Sequence, residues 1–278
     1  MHNASGETAV ADASQKGKRS AGTLFFGNIT EWGPQARTYF EEQCVKDDNT
    51  PAWEAAAVAE HHVSKKKLGG VRKFFNTLGY KIGASVAKQS KRSETGTNGG
   101  VFIAVPKGHS STVRDYSSKV VDKLPAMTGD DWSIVILHRR GIDFAYAAIY
   151  LECGGCTAAN KKKVLELAAA LKALGLPFAV AGDFNATPEE AVKWGYTAIL
   201  GGSTMVPKDT VATCTSGTGR LIDFCIISSN AKLLLQNPRT VVGTPWRPHS
   251  GIAVDIISKS WVLNHNTASS TFIGSISC

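Results

Sequence analysis

Gly182-Asp183-Phe184-Asn185 closes a short apolar run and carries the strongest chemical signal in this chain. Residues two apart on an extended strand share a face. Asp183 and Asn185 are therefore expected to project together, one as a carboxylate acceptor and the other as an amide donor. Such a pair suits an attacking water and a phosphoryl oxygen. The competing reading is an Asx-type turn, because Asp, Asn, Gly and the following Thr187-Pro188 are all turn formers. Other residues favour chemistry. Glu60 ends the apolar run 55–60, and a lone carboxylate at a strand end is what Mg²⁺ uses, with water and phosphate completing its shell. His61 and His62 follow, but no second His/Cys cluster stands at zinc-ligand spacing.

Asp223 interrupts the apolar stretch 220–228. A buried acid there is costly unless paired. His249, within Trp246-Arg247-Pro248-His249-Ser250, offers the partner. An Asp that holds one imidazole nitrogen leaves the other free as a general acid or base. Trp246 and Arg247 stand beside it as candidates for base or sugar contact.

These residues need strands that end together. Apolar runs at 23–26, 55–60, 99–105, 132–137, 144–150, 178–181, 220–228 and 251–257 read as strands. Helical spacing marks 34–46, 71–78 and 160–174, with Gly175 as a stop signal. Residues 81–96 read as a polar, mobile stretch. Lys161, Lys162 and Lys163 read as a solvated helix face. Strands outnumber helices, which suits two packed sheets with helices outside. There is no internal repeat and no composition shift marking a second folded domain.

The 278 residues, 43% hydrophobic, can bury a large core. No apolar run reaches the roughly 20 residues needed to span a bilayer, so no membrane partner is expected. Lys and Arg number 31 against 23 Asp and Glu, a net charge of +8 that favours polyanionic partners. Six cysteines, at 44, 153, 156, 214, 225 and 278, form no disulfide framework. Buried thiols in a reducing compartment are the expectation. Residues 1–20 are small, polar and charged. They read as a disordered lead without a secretory signal.

Taken in chain order, these blocks resemble the endonuclease/exonuclease/phosphatase family, which includes exonuclease III, apurinic endonucleases, deoxyribonuclease I and retrotransposon endonucleases. The order is Phe-Gly-Asn28-Ile-Thr-Glu-Trp32, Ala-Glu60-His-His, Asn98-Gly-Gly-Val-Phe-Ile-Ala-Val105, Phe144-Ala-Tyr-Ala-Ala-Ile-Tyr150, Gly-Asp183-Phe-Asn185, Leu-Ile-Asp223-Phe and Pro-His249-Ser-Gly-Ile. The first, second and last of these look most like retroelement-encoded members. The resemblance runs from residue 24 to 257. It implies an α/β (α+β) fold, a four-layer α/β/β/α sandwich of two packed mixed β-sheets flanked by helices, over residues 21–278.

The resemblance also implies roles. Glu60 would ligate Mg²⁺ (or Mn²⁺), with Asn28 beside it. Asp183 would orient or deprotonate the attacking water. Asn185 would bind phosphate or stabilise the transition state. Tyr150 would contact a phosphate oxygen, though alone it reads as a core tyrosine. Asp223 would orient His249, and His249 would act on the scissile phosphate or the water. The implied activity is phosphodiester hydrolysis, with DNA the favoured partner and RNA the second. A monomer is expected, intracellular, and nuclear if it acts on genomic DNA. Two alternatives accompany this reading: a phosphatase or phosphodiesterase acting on inositol phosphate, lipid or RNA, and a decayed nucleic-acid-binding domain. One departure motivates the last. Pro248 stands where the family commonly has Asp, so a supporting carboxylate is missing and activity is expected to be weakened. Ala59 likewise replaces a frequent Gln.

Overall fold

The computed structural model describes residues 20–45, 50–90, 93, 96–107, 111–112, 129–139 and 142–257. Of the expected disordered lead, residues 1–19 lie outside this set, as does Cys278.

Alternation along the strands sets the layers. In β1 (Ser20–Asn28), Leu24 and Phe26 face one way and Phe25 the other. All three are buried, so the strand is covered on both faces and reads as continuous apolar sequence. The same holds for β2 (Ala55–Ala59), all five of whose residues are buried. These two strands run parallel. With β3 (Tyr80–Ser85), β6 (Val101–Pro106), β13 (Leu235–Val241) and β14 (Gly251–Ile257) they form one sheet, ordered β13-β14-β1-β2-β6-β3. The second sheet contains β7 (Ser111–Thr112), β8 (Trp132–Arg139), β9 (Ile142–Tyr150), β10 (Phe178–Asp183), β11 (Gly202–Met205) and β12 (Asp223–Ser228). Its order is β11-β12-β10-β9-β8-β7, with β9 and β10 parallel. A small ribbon pairs β4 (Lys88–Gln89) with β5 (Thr97–Asn98).

The two sheets meet face to face. Leu24, Phe26, Ala57, Ile103 and Val254 from the first pack against Val135, Tyr146, Ala181 and Ile227 from the second. The outer face of the first sheet is covered by α1 (Pro34–Gln43) and α2 (Leu68–Thr77), through Phe40, Val71 and Phe75. On the second, α3 (Ala158–Leu174) and α5 (Tyr196–Leu200) contribute Val164, Leu167, Leu171, Tyr196 and Leu200. The expected four-layer α/β/β/α order is therefore present. None of the helices among the described residues is long and apolar enough to cross a membrane.

Several expectations need correction. Residues 81–96 are not one mobile stretch, because β3 occupies 80–85 as a sheet-edge strand. Tyr80 and Ile82 are buried and Lys81 is exposed, so its polar residues line one face of a regular strand. Residues 220–222 precede β12 rather than belonging to it. The weakly patterned β11, β13, α4 (Pro188–Lys193) and α5 went unread. Lys163 is buried, unlike Lys161 and Lys162. Cys153 and Cys156 are exposed, while Cys44, Cys214 and Cys225 are buried. Trp246 packs among Phe25, Tyr39 and Phe40 at 4% exposure and is not placed to meet a base.

A buried bond joins the two sheets within the apolar core. The Tyr146 hydroxyl donates to the Phe25 carbonyl at 2.7 Å. Tyr146→Phe is expected to cost about 1–2 kcal/mol, read as a lower urea midpoint at unchanged slope. An unchanged midpoint would show that this bond adds no net stability.

Candidate active site

Strand ends bring the polar residues together. Parallel pairing sets Asn28, the last residue of β1, opposite Ala59, so Glu60 emerges beside it. In the second sheet Asp183 ends β10, opposite Tyr150 on β9 and Asp223 on β12. His249 lies just before β14, bridged to Cys214. All these ends fall at one edge of the double sheet.

Asn28 is fully buried and touches both sheets. Its Nδ2 donates to Glu60 Oε2 at 2.8 Å and to Asp183 Oδ2 at 2.9 Å. Its Oδ1 accepts from the Thr30 N–H at 3.0 Å. The amide thus turns its nitrogen, not its oxygen, toward the carboxylates. His249 Nδ1 lies 2.9 Å from Asp223 Oδ2, and His249 Nε2 points toward Asp183 Oδ2 at 3.9 Å. Tyr150 bonds Glu60 through its hydroxyl.

Asn185 does not continue the strand beyond Asp183. Its φ of +47° is left-handed, and its backbone N–H donates to Asp183 Oδ1 at 2.9 Å. The turn reading therefore describes this segment, and the shared strand face expected for Asp183 and Asn185 is not formed. The Asn185 side chain donates to Leu151 O at 2.6 Å and accepts from Cys153 Sγ at 3.1 Å. Thr30, Glu60 and His62 also have positive φ. Such non-glycine conformations cost on the order of 1–2 kcal/mol each. Strain of this kind gathers where the surrounding structure imposes a side-chain direction.

Electrostatics follow from burial and crowding. Burial and the neighbouring Asp223 push the Asp183 carboxyl up to about 8. Burial would lower His249, but the bond to Asp223 and the charges of Asp223 and Asp183 outweigh it and raise the imidazole to about 9. Burial likewise acts to raise Glu60, yet bonds from His62, Tyr150 and Asn28 hold it below the ordinary carboxylate value. Tyr150 is driven well above the phenol range by burial and by Glu60, so it remains a donor. His61 is structural. Its Nδ1 accepts from Val63 N and its Nε2 faces Ser85 O, and burial lowers it to about 4.

Ligand atoms of Glu60, Asp183 and His249 lie within 4.8 Å of one another. The hard carboxylate oxygens of Glu60 and Asp183, in a pocket with more negative than positive charge, suit a divalent cation, whereas an imidazole that holds its proton, as His249 does, serves as a donor beside it.

Thr213 carries no signal in the sequence that marks it for the site. Its hydroxyl accepts from the Ile222 and Asp223 N–H groups at 3.0 and 2.8 Å. Ser250 N donates to the Thr213 carbonyl, and Thr215 donates through both N–H and hydroxyl to Pro248 O. This loop therefore fixes Asp223 and His249 together. A threonine two residues before another offers no periodic signal for that role.

Two mixed sheets packed face to face between helices define a four-layered α/β/β/α protein. More narrowly, the chain has the endonuclease/exonuclease/phosphatase, or deoxyribonuclease I-like, fold. Neither a protein-family model nor a curated protein matches the sequence. Solved structures do match. The endonuclease domain of TRAS1, a telomere-specific non-LTR retrotransposon, superposes with a TM-score of 0.61 at 12% identity, covering 84% of this chain and 97% of that one. The AP endonuclease LMAP from Leishmania major gives 0.61 at 10% identity, covering 85% and 88%. The human Nocturnin catalytic domain, solved with a sulfate anion, gives 0.51 at 16%, covering 84% and 92%. At such identities the likeness is one of fold.

The raised carboxyl makes a prediction. Asp183 keeps its proton up to about pH 8 when folded, against an ordinary value of 3.8. The stability this contributes is complete below 3.8 and lost as pH rises through about 8. Asp183→Asn avoids that loss. In EDTA its thermal midpoint is expected to exceed the parent's by a few degrees, the margin growing from about pH 5 to about pH 8 and then levelling. A margin that ignores pH would contradict the assignment.

Proposed function

We propose that this chain hydrolyses phosphodiester bonds in nucleic acid, DNA before RNA, with Mg²⁺ or Mn²⁺ held at Glu60. One observation carries the reading: Asn28, Glu60, Asp183, Asp223 and His249, spread over more than two hundred residues of sequence, meet in one buried polar cluster. The net charge of +8 supports a polyanionic substrate. So do neighbours of this fold named as endonucleases, and a Neisseria 3′ phosphatase solved with a product DNA hairpin.

A bound divalent cation would supply Lewis-acid stabilisation of charge building on the phosphoryl oxygens. The chain's own residues do the rest. Asp183, once its proton is displaced, is a carboxylate of unusually high basicity and accepts the proton of the attacking water. Asn28 keeps Asp183 and Glu60 in register by donating to both, the geometry favouring this over direct ligation of the metal. His249, held through Nδ1 by Asp223, presents Nε2 as a charged donor toward the phosphoryl group. The Tyr150 hydroxyl, kept protonated, adds a second donor. Asn185 uses one amide hydrogen on Leu151 and keeps the other for a phosphate oxygen. The retroelement and apurinic types of endonuclease both fit this arrangement. The decayed-domain alternative rests on Pro248, and the convergence of Asn28, Glu60, Asp183, Asp223 and His249 speaks for an active site instead.

Nicking of supercoiled plasmid is expected with Mg²⁺, and its loss in EDTA or with Asp183→Asn. Metal-dependent turnover of a soluble phosphomonoester without plasmid nicking would move the activity to the phosphatase alternative. DNA binding without any cleavage would leave a binding domain. Restoring the carboxylate with Pro248→Asp is expected to lower the Mg²⁺ concentration at half-maximal rate. An unchanged titration would sink the missing-ligand account of Pro248.

A further inference from the structure

Lys163 has the one ammonium among the described lysines that is buried at 4% exposure. Its placement is specific. Nζ lies 2.7 Å from Asp131 Oδ2 and 3.1 Å from Glu152 Oε1, and 5.7 Å from the centroid of the Tyr150 ring. Asp131 is itself buried and has a left-handed φ of +60°. Its other carboxylate oxygen accepts from the Gly100 N–H at 2.7 Å, and its carbonyl accepts from the Tyr150 N–H at 2.8 Å.

Following these bonds outward leads to the active site from two sides. Gly99 and Gly100 present their carbonyls to the N–H groups of His62 and His61, at 3.1 and 3.4 Å. Those two residues directly follow Glu60. On the other side, Tyr150 N hangs from Asp131, and the Tyr150 hydroxyl bonds Glu60. The ion pair therefore sits at the root of both segments whose tips meet at Glu60. The fit is tight. A Cβ on Gly99 would fall 2.2 Å from Asp131 Oδ1, and one on Gly100 would fall 2.5 Å from His61 Cε1. With no side chain there, the turn closes directly onto the carboxylate and the imidazole.

We infer that Lys163 is a positioning residue of the active site, acting through Asp131 to fix the Glu60 segment against Tyr150. The inference rests on the proposed phosphodiesterase reading of that site. Lys163 touches no reacting atom. Its ammonium holds the Asp131 side chain where it receives Gly100, at a residue whose backbone carbonyl receives Tyr150, and it anchors the end of β9 to helix α3 through Glu152. A shift of this root would move Glu60 relative to Tyr150 while leaving the sheets intact.

The alternative is a buried ion pair that only stabilises the fold, and a paired set of variants separates the two. Lys163→Met leaves Asp131 charged, with only the part-exposed Lys88 ammonium 3.8 Å away. Lys163→Met with Asp131→Asn removes both charges yet keeps an oxygen for Gly100. Direct Mn²⁺ binding, followed by electron paramagnetic resonance, is measured beside plasmid nicking and thermal midpoint. The single variant is expected to lose stability, and kcat and Mn²⁺ affinity per folded molecule should fall by about 10- to 100-fold. The double variant is expected to recover the thermal midpoint while Mn²⁺ affinity and kcat stay low. Affinity and kcat within about twofold of the parent in the double variant would overturn the inference. Failure of both variants to fold would do the same, making the lysine structural. Glu60→Gln serves as the reference. If it binds Mn²⁺ and nicks as the parent does, the reading of the site has failed, whatever Lys163 shows.

Discussion

The amide of Asn28 is the interaction on which the rest of the site depends. It stands at the end of a strand in one sheet and donates to a carboxylate from each sheet, Glu60 and Asp183. Glu60 also receives the Tyr150 hydroxyl from the second sheet, but Asn28 is the donor that reaches both carboxylates. Buried carboxylates repel one another strongly in a medium of low dielectric, so their approach requires a donor between them. Asn28 can serve because Thr30 N–H occupies its oxygen and fixes which way the amide faces.

Around that bridge the protein accumulates negative charge. Asp183, Asp223 and Glu60 converge there, with the imidazoles of His249 and His62 beside them. The consequences appear as shifted proton affinities: Asp183 and His249 hold protons more tightly, and Glu60 less. A fold selected only for stability would avoid this arrangement, since packed apolar side chains in the same volume do as well or better. The left-handed Glu60, His62 and Asn185 add backbone strain at the same place. Charge crowding and strain at one strand edge are what a site prepared for a cation and a phosphate requires.

Support for this cluster comes from loops rather than from the sheets. The segment around Thr213 and Thr215 clamps Asp223 and His249, and the Asp131–Lys163 pair roots the turn at Gly99 and Gly100 and the end of β9. Both devices work by saturating backbone donors and acceptors that the ending strands leave open. Pro248, which replaces the expected carboxylate, still contributes its carbonyl to Thr215. The local backbone is therefore held even where the side chain offers nothing to a metal.

The sequence by itself determined the layers and the chemical inventory. Apolar runs such as 55–59 and 178–181 are readable because strands covered on both faces must be apolar throughout. Asp183, Glu60, Asp223 and His249 stand out because ionisable groups at the ends of such runs are costly unless used. Edge elements were less legible. In β3, one face is solvated and its lysine looks like loop, and the register-shifted β13 has no clean alternation. Only the tertiary structure decided that Lys163 is buried while Lys161 and Lys162 are not, because helix rotation against a sheet is set by packing of the whole face. It alone decided that Asn28 faces the carboxylates with its nitrogen and that Thr213 anchors Asp223. Those facts rest on hydrogen bonds between residues distant in the chain, and no local spacing records where a distant donor will arrive.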